Sequence, residues 1–216
     1  DFADRLRLAG EDPRRPSLSL ANPLSIEQSV MRTLMLPGLL ETVARNLSQR
    51  HQDVNIVERG HVYDAGDGEL PAGERTVIGG CLCGSLREES WRGESPAVDF
   101  FTAKGLAEAA FGAVDGSFDL KRAQEPFLHP GKSARVLVDG RDAGYIGEVH
   151  PLVLEAFDID QPVMAFELDE EAFIESSRGV SIFKDIITYP SSSQDLAVVV
   201  DEASSAGDLI AAVREA

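Results

Sequence analysis

The sequence predicts an α+β fold, a mostly antiparallel sheet flanked by helices. Short stretches of alternating apolar and polar residues recur along the chain, with Gly, Asp and Pro between them at turn positions. This pattern is typical of hairpin-connected strands. Other segments carry apolar residues at helical spacing. Strands separated by hairpins and interrupted by helices favour an α+β domain.

Composition limits the classes of function. The chain has 216 residues, 43% of them hydrophobic and 26% charged, which is ordinary for a globular protein. The net charge of -17 argues against nucleic-acid binding, because such binding usually leaves a basic footprint and the chain as a whole lacks one. No apolar run has membrane length. Because the chain starts with Asp1 rather than Met, we expect a piece of a longer protein.

The densest run of recognisable patterns lies between Asn22 and Leu47. Ser25 and Gln28 stand at capping-box spacing, which predicts a short helix. Pro37 predicts the start of a longer helix, because a first-turn residue needs no helical partner for its N–H. The apolar residues that follow form one helix face, made of Leu39, Leu40, Val43, Ala44 and Leu47.

The same two periodicities predict the other elements. The predicted strands are residues 17–21, 53–63, 76–86, 117–120, 135–138, 143–149, 163–168 and 195–200. The predicted helices are residues 99–111, 151–157, 170–176 and 206–216. In the first of these helices, we expect an inward face of Phe100, Leu106, Ala109 and Ala110. A tight turn at Asp139-Gly140 predicts a β-hairpin.

The two cysteines are the first candidate for chemistry. Cys81 and Cys83 could form half of a thiolate metal site, but tetrahedral zinc needs four ligands and no second pair exists. On a strand both side chains face one side, so two buried small residues are the favoured interpretation. Two cysteines cannot make a disulfide framework, which predicts a reducing, cytoplasmic compartment.

Histidines, glycines and carboxylates offer weaker candidates. His129 and His150 each precede a proline, and we favour strand-end or turn roles over a catalytic base. Gly60, Gly66, Gly68 and Gly73 make no phosphate-binding fingerprint, while Gly144 and Gly147 in a strand favour close packing. For the acidic segment Glu167, Asp169, Glu170, Glu171 and Glu175, a solvated helix face is favoured over a metal site. Chemistry alone therefore predicts no catalytic, cofactor-binding or metal-ligating residue.

Several stretches, in order, resemble one known family. They are Asn22-Pro23-Leu24-Ser25, Met31-Arg32-Thr33, Leu36-Pro37-Gly38-Leu39-Leu40, Val98-Asp99-Phe100-Phe101 with Lys104-Gly105, Leu128-His129-Pro130-Gly131-Lys132-Ser133-Ala134, Gly144-Tyr145-Ile146-Gly147-Glu148-Val149-His150-Pro151 and Phe166-Glu167-Leu168. Singly each is weak, but in series they are specific. The chain resembles the β subunit of bacterial phenylalanyl-tRNA synthetase.

The resemblance implies two domains. Residues 1–187 would form a class II aminoacyl-tRNA synthetase-like core that is catalytically inactive. Residues 188–216 would be the truncated beginning of a ferredoxin-like anticodon-binding domain, in which Ser193 and Gln194 replace two arginines of the family pattern. An editing module and a magnesium-binding segment are expected upstream of Asp1.

The resemblance also implies a structural role. The family's α subunit joins phenylalanine to ATP and then to tRNA, so ATP and magnesium belong to the whole enzyme and no cofactor is expected here. Asp64 follows the motif 2-like strand where an active copy carries an ATP-binding arginine, and residues 166–176 are acidic where it carries glycines and an arginine. Carboxylates there would repel a triphosphate.

The implied partners are the α subunit, in an assembly of two α and two β subunits, and tRNA bound by the full assembly; no membrane is implied.

Arg32 has two interpretations, a hydrogen-bonded structural arginine, which we favour, and a contact near a vestigial substrate pocket. Three competing hypotheses stay open: a class II-like ATP-using ligase domain active on its own, a separate protein-interaction scaffold, and an RNA-binding module.

Overall fold

The computed structural model describes residues 1–26, 29–65, 73–87, 91, 93, 95–177, 189–190, 192–201, 204 and 206–215. The chain divides into two compact units, residues 1–181 and 182–216. The domain boundary expected at residue 187 and the short helix expected at Ser25–Gln28 involve positions outside the described residues. None of the described helices is long and apolar enough to cross a membrane.

The first unit contains six strands and five helices among its described residues. The strands are β1 (Val54–Asp64), β2 (Gly73–Cys83), β3 (Asp119–Arg122), β4 (Leu128–Val138), β5 (Arg141–Val149) and β6 (Val163–Asp169). The helices are α1 (Phe2–Arg5), α2 (Leu36–Ser48), α3 (Phe100–Ala113), α4 (Pro151–Ala156) and α5 (Glu170–Glu175). The second unit contributes α6 (Ala206–Glu215).

The six strands form one sheet in the order β1-β2-β6-β5-β4-β3. Every neighbouring pair is antiparallel, which confirms the predicted α+β class. β6 enters between the two hairpins, and its central position makes it the strand that joins them. A residue of β6 therefore contacts both halves of the sheet.

Core residues lie on both faces of the sheet. On one face, α1, α2 and α4 pack through residues such as Leu6, Leu40 and Val153. On the other face, α3 and α5 pack around Phe111 and Phe173. The sheet is thus a middle layer between helices, and its central strands β2, β6 and β5 carry buried residues on both faces.

The hairpin of β4 and β5 follows the prediction closely. Asp139 and Gly140 both have positive φ, at 48° and 77°, which suits a tight hairpin turn. Gly144 has φ 129°, and a Cβ there would stand 1.9 Å from the carbonyl oxygen of Glu167. Close approach of β5 and β6 thus requires glycine at this position, as predicted for Gly144.

The predicted inward face of α3 is wrong for three of its four residues; Phe100 is half-buried and packs against the core, as predicted. Leu106, Ala109 and Ala110 are exposed, whereas Ala103, Ala107 and Phe111 are buried. This helix is apolar on most sides, so apolar spacing alone does not select the buried face. The bulky Phe111 ring does so by packing against Phe118 and Phe173.

Two predicted strands are absent from the described residues. Residues 17–21 contribute only an isolated bridge between Ser19 and Val30. Residues 195–200 have no regular secondary structure, and the exposed fraction of Val199 is 104%. A strand is defined by its ladder, and no described strand runs beside these residues.

Candidate functional site

One of the described cavities lies beside β1. It has a volume of about 630 Å³ and is walled by α1, residues 30–34, the first turn of α2 and β1. We call it the β1 cavity. Four arginines line it: Arg14, Arg15, Arg32 and Arg59.

Each of the four arginines contacts a carboxylate. Their ion pairs are Arg14–Glu125, Arg15–Asp4, Arg32–Glu58 and Arg59–Glu170. An anionic ligand entering the β1 cavity would have to displace these carboxylates or bear their repulsion. The cavity therefore lacks the free cationic clamp that a triphosphate needs.

Arg32 is tied to the edge strand of the sheet. Its Nε donates a 2.8 Å hydrogen bond to the carbonyl oxygen of His61, and its own carbonyl accepts from the N–H of Tyr63 at 2.9 Å. The guanidinium lies over Gly60, where a Cβ would stand 2.3 Å from Nη2. These contacts fit the structural interpretation of Arg32, although the side chain also lines the β1 cavity.

A smaller cavity of about 330 Å³ opens on the α2 face of the sheet, over β5 and β6. We call it the Glu167 cavity. The side chain of Glu167 is 5% exposed, and its Oε2 accepts hydrogen bonds from Met35 N–H at 2.9 Å and Tyr145 O–H at 3.4 Å. Met35 is the N-cap residue of α2, so Glu167 helps to hold the start of that helix.

Burial raises the pKa of Glu167, because the charged form loses its hydration. The hydrogen bond from Met35 and the charge of Arg75 oppose this effect without cancelling it. Burial likewise raises the pKa of Tyr145, and the charge of Glu167 adds to the increase. The two side chains form a buried polar pair inside an apolar layer.

A chain of ion pairs borders the Glu167 cavity. Arg14 contacts Asp12 and Glu125, each at 2.7 Å, and Arg135 contacts the same Glu125 at 3.0 Å and Asp142 at 3.1 Å. The side chain of Glu125 is only 7% exposed, so these contacts satisfy a carboxylate that burial would otherwise make unfavourable.

The cysteines lie where the sequence predicted. Cys81 and Cys83 are both free, fully buried and on the same face of β2. Burial raises the pKa of Cys83 to about 11 and that of Cys81 further still, so both stay as thiols at neutral pH. They act as small core side chains.

The histidines lie at the ends of elements, as predicted: His129 is the second residue of β4, and His150 directly precedes α4. The Nδ1 of His129 accepts from the N–H of Gly131 at 3.1 Å, and that of His150 accepts from the N–H of Leu152 at 3.1 Å. His150 is thereby the N-cap of α4. Glu148 contacts Lys132 at 2.7 Å rather than orienting His150 as a base.

The acidic segment is only partly a solvated face. Glu170 contacts Arg59 and Glu175 contacts Arg141, both at the surface. Asp169 caps α5 by accepting from Ala172 N–H at 3.0 Å. Glu167, however, is buried, so placing it in a solvated face is wrong. Alternation in β6 turns it inward with Val163 and Ala165, and two donors make that burial tolerable.

Metal ligands are not brought together in the part of the chain that the structure describes. No group of three or more His, Cys, Asp or Glu side chains is placed there to hold a metal ion. Asp64 ends β1 opposite Gly73.

Comparison with known proteins decides the family. Residues 1–170 match the family described as phenylalanyl tRNA synthetase beta chain CLM domain. The chain belongs to this family. The match includes the complete six-stranded sheet and both cavities described above.

The relatives compared with the chain are all phenylalanine–tRNA ligase beta subunits. The chain is 41% identical over 211 residues to the phenylalanine–tRNA ligase beta subunit of Thiobacillus denitrificans, covering 96% of the chain and 26% of that relative. It is 38% identical over 209 residues to that of Geobacter sulfurreducens, with 96% and 26% covered. For Symbiobacterium thermophilum the identity is 36% over 216 residues, with 99% and 24% covered. The chain thus spans about a quarter of these relatives.

Two features of the CLM domain fold were missed by sequence reasoning. The apolar residues before Glu167 in β6 were a signal for its burial, but the pairing with β2 and β5 that encloses it is not visible in the sequence. The pairing of Arg14 and Arg135 through Glu125 had no such pattern, because it joins residues 111 positions apart in the case of Arg14. Only the folded sheet brings those groups together.

Proposed function

We propose that this chain is a non-catalytic structural domain of a phenylalanine–tRNA ligase beta subunit. The observation that carries the proposal is the family match over residues 1–170, together with relatives that bear this name. The whole enzyme attaches phenylalanine to its tRNA with ATP and magnesium, and this piece supports the subunit that does so. The proposed location is the cytoplasm, which suits two free thiols.

The fold supports this proposal at two points. An antiparallel sheet between helices is compatible with a class II synthetase-like core for residues 1–187. The four arginines of the β1 cavity contact carboxylates, so they are not free to hold phosphates. Residues 188–216 are assigned, in the same proposal, to the start of a ferredoxin-like anticodon-binding domain.

The proposed partner is the alpha subunit, in an assembly of two alpha and two beta subunits that binds tRNA. The test is co-elution of the 216-residue chain with purified alpha subunit from Thiobacillus denitrificans at micromolar concentration. A joint peak in size-exclusion chromatography supports the scaffold role. Separate elution with this alpha subunit and with that of Geobacter sulfurreducens would count strongly against it.

Calorimetry with ATP and magnesium separates the scaffold from an independent ligase domain. We expect no saturable heat of binding. A triphosphate that approached the guanidinium groups of Arg32 and Arg59 would be repelled by their partners Glu58 and Glu170. Clear saturable binding would favour the ligase hypothesis. A salt-dependent gel shift with tRNA at low protein concentration would instead favour an RNA-binding module, which the charge of -17 opposes.

A further inference from the structure

The Glu167 cavity holds a buried acidic group without an ion-pair partner among the described residues. Both hydrogen bonds that Glu167 accepts from described residues end on Oε2, from Met35 and Tyr145. The second oxygen, Oε1, has no described donor. A buried carboxylate is unfavourable unless a proton or a cation compensates its charge.

The neighbouring arginines compensate that charge only in part: the charges of Arg75 and Arg14 lower the pKa of Glu167, but burial still raises it. Arg14 and Arg135 share Glu125, and each holds a further aspartate, Asp12 or Asp142. Arg75 contacts Asp169 at 3.5 Å. Three guanidiniums at this cavity therefore face five carboxylates, once Glu167 is counted with its four paired neighbours. The surroundings of Glu167 are net negative, which favours a positively charged ligand.

The shape and lining restrict the cation to a small organic one. The volume of about 330 Å³ is at the lower end of ligand cavities, and Pro13, Leu34 and Val77 contribute apolar wall. The cavity is poorly suited to a metal ion, because no group of three or more His, Cys, Asp or Glu side chains that could bind one occurs among the described residues. An ammonium carries three N–H donors and can use Oε1 of Glu167 with the carboxylates of Asp142 or Asp169 beside it.

We propose that the Glu167 cavity binds a primary ammonium on a short apolar chain, with the ammonium donating to Oε1 of Glu167. The cavity then acts as a small-molecule site within a domain that performs no catalysis. The inference stands on the cavity alone and does not depend on the role in phenylalanine–tRNA ligase.

The probe for this site is n-butylammonium, titrated into the isotope-labelled 216-residue chain and followed by NMR. We expect saturable shifts at the amides of Met35 and Tyr145, which flank the carboxylate. Neutral n-butanol has the same chain length but no charge, so it should leave those amides unmoved. Absence of a saturable shift with n-butylammonium, or equal shifts with n-butanol, would overturn the proposal.

The variant Glu167→Gln tests the carboxylate itself. Gln keeps an acceptor for Met35 N–H but lacks the charge, so affinity for n-butylammonium should fall about tenfold or more, as for loss of a charge-assisted hydrogen bond. Glu41→Gln, on the exposed side of α2, is the matched control and should bind like the parent chain. Unchanged affinity in Glu167→Gln overturns the proposal.

A pH series on the parent chain gives a second measurement should Glu167→Gln fail to fold. Protonation removes the negative charge of Glu167, so binding of n-butylammonium should weaken as the pH falls toward the ordinary glutamate pKa of 4.5. The hydrogen bond with Arg14 lowers the pKa of Asp12, so this neighbouring carboxylate keeps its charge to lower pH. Affinity that does not change over this range would refute a role for the carboxylate.

Discussion

Glu167 is the residue at which charge predicts exposure but the place of the residue in the sheet produces burial. Its sequence neighbours Asp169 and Glu170 are partly exposed, and charge alone groups all three as one acidic surface. Asp169 lies on the same face of β6, but Glu167 is paired on both sides, with Gly79 of β2 and Tyr145 of β5, and is therefore buried. The N–H of Met35 and the hydroxyl of Tyr145 make that burial tolerable. The sequence pattern indicates on which face of β6 Glu167 lies. It does not show that the N–H of Met35 and the hydroxyl of Tyr145 lie close enough to donate hydrogen bonds to it.

The buried carboxyl of Glu167 makes stability depend on pH. Its pKa is raised in the folded chain, so the folded state binds more protons than the unfolded state above pH 4.5. The protonated carboxyl of Glu167 therefore contributes its full stabilisation below the pKa that the group has in the unfolded chain. This stabilisation is lost as the pH rises through the higher pKa that the group has in the folded chain. We expect Glu167→Gln to gain stability relative to the parent as pH rises across this interval.

The measurement is urea unfolding of the parent and Glu167→Gln at a series of pH values from 4.5 to neutrality. The difference between the two chains isolates this group from the other carboxylates. Glu41→Gln should show no comparable trend, because its side chain is 45% exposed. A difference for Glu167→Gln that is constant with pH would contradict the prediction.

Gly144→Ala tests the close approach of β5 and β6. An alanine Cβ would stand 1.9 Å from the carbonyl oxygen of Glu167, and φ at this position is 129°. Because both the contact and the backbone angle oppose a side chain, we expect a loss of about 3 kcal/mol in the free energy of unfolding. Urea denaturation measures it.

The matched control for that substitution is Gly105→Ala. Gly105 lies in α3 with nothing within 4 Å of an added Cβ. Alanine there should raise stability by about 0.5–1 kcal/mol, because glycine is a poor helix former. If both substitutions changed stability equally, strand contact would not be the reason for glycine at position 144.

Arg32→Ala tests the structural interpretation of this arginine. The variant loses the hydrogen bond to the carbonyl of His61 and the ion pair with Glu58. We expect a loss of about 1 kcal/mol, chiefly from the hydrogen bond, since the half-exposed ion pair adds little. Glu58→Gln keeps the hydrogen bond and should change stability by less. An Arg32→Ala chain with an unaltered melting temperature would show the structural role to be wrong.

At the scale of elements, helices and strands could be predicted where the apolar residues in the sequence form a single face. Pro37 and the apolar face that follows it define α2, whose Leu39, Leu40 and Val43 are buried. The orientation of α3 was not predictable in this way, because leucine, alanine and phenylalanine occur on several of its sides. Packing of Phe111 against Phe118 and Phe173 decides it, and those partners are distant in sequence or on another element.

Paired substitutions in α3 test its corrected face. Phe111→Ala removes a ring that is 1% exposed and should cost about 3–5 kcal/mol through lost burial and a cavity. Leu106→Ala removes a side chain that is 41% exposed and should cost under about 1 kcal/mol. Thermal or urea unfolding of both variants gives the comparison. Equal losses would restore the face that the sequence predicted.

At the scale of the molecule, the fold class followed from hairpins and helices, but the strand order did not. The turn at Asp139-Gly140 specifies that β4 and β5 are neighbours. Nothing local specifies that β6 enters between β2 and β5, since the pairing with β2 joins residues far apart in sequence, such as Val77 and Asp169. The candidate site depends on this insertion, because β6 carries Glu167 to Tyr145.

Residues 195–200 also show that a local sequence pattern does not determine strand pairing. Their apolar pattern predicts a strand, yet Leu196, Val198 and Val199 are exposed and unpaired with any described strand. A strand gains its stability from a ladder and a buried face, neither of which a local pattern supplies. The first unit, by contrast, contains the whole sheet and both core clusters.

Stability should therefore reside in the first unit. A chain of residues 1–181 is expected to unfold at the urea midpoint of the 216-residue chain, within about 0.5 kcal/mol, because every described core residue is retained. Hydrogen exchange on the longer chain supplies the control: amides of β2 should be strongly protected, and those of residues 195–200 should exchange freely. A marked loss of stability in the shorter chain would mean that residues 182–216 contribute to the core.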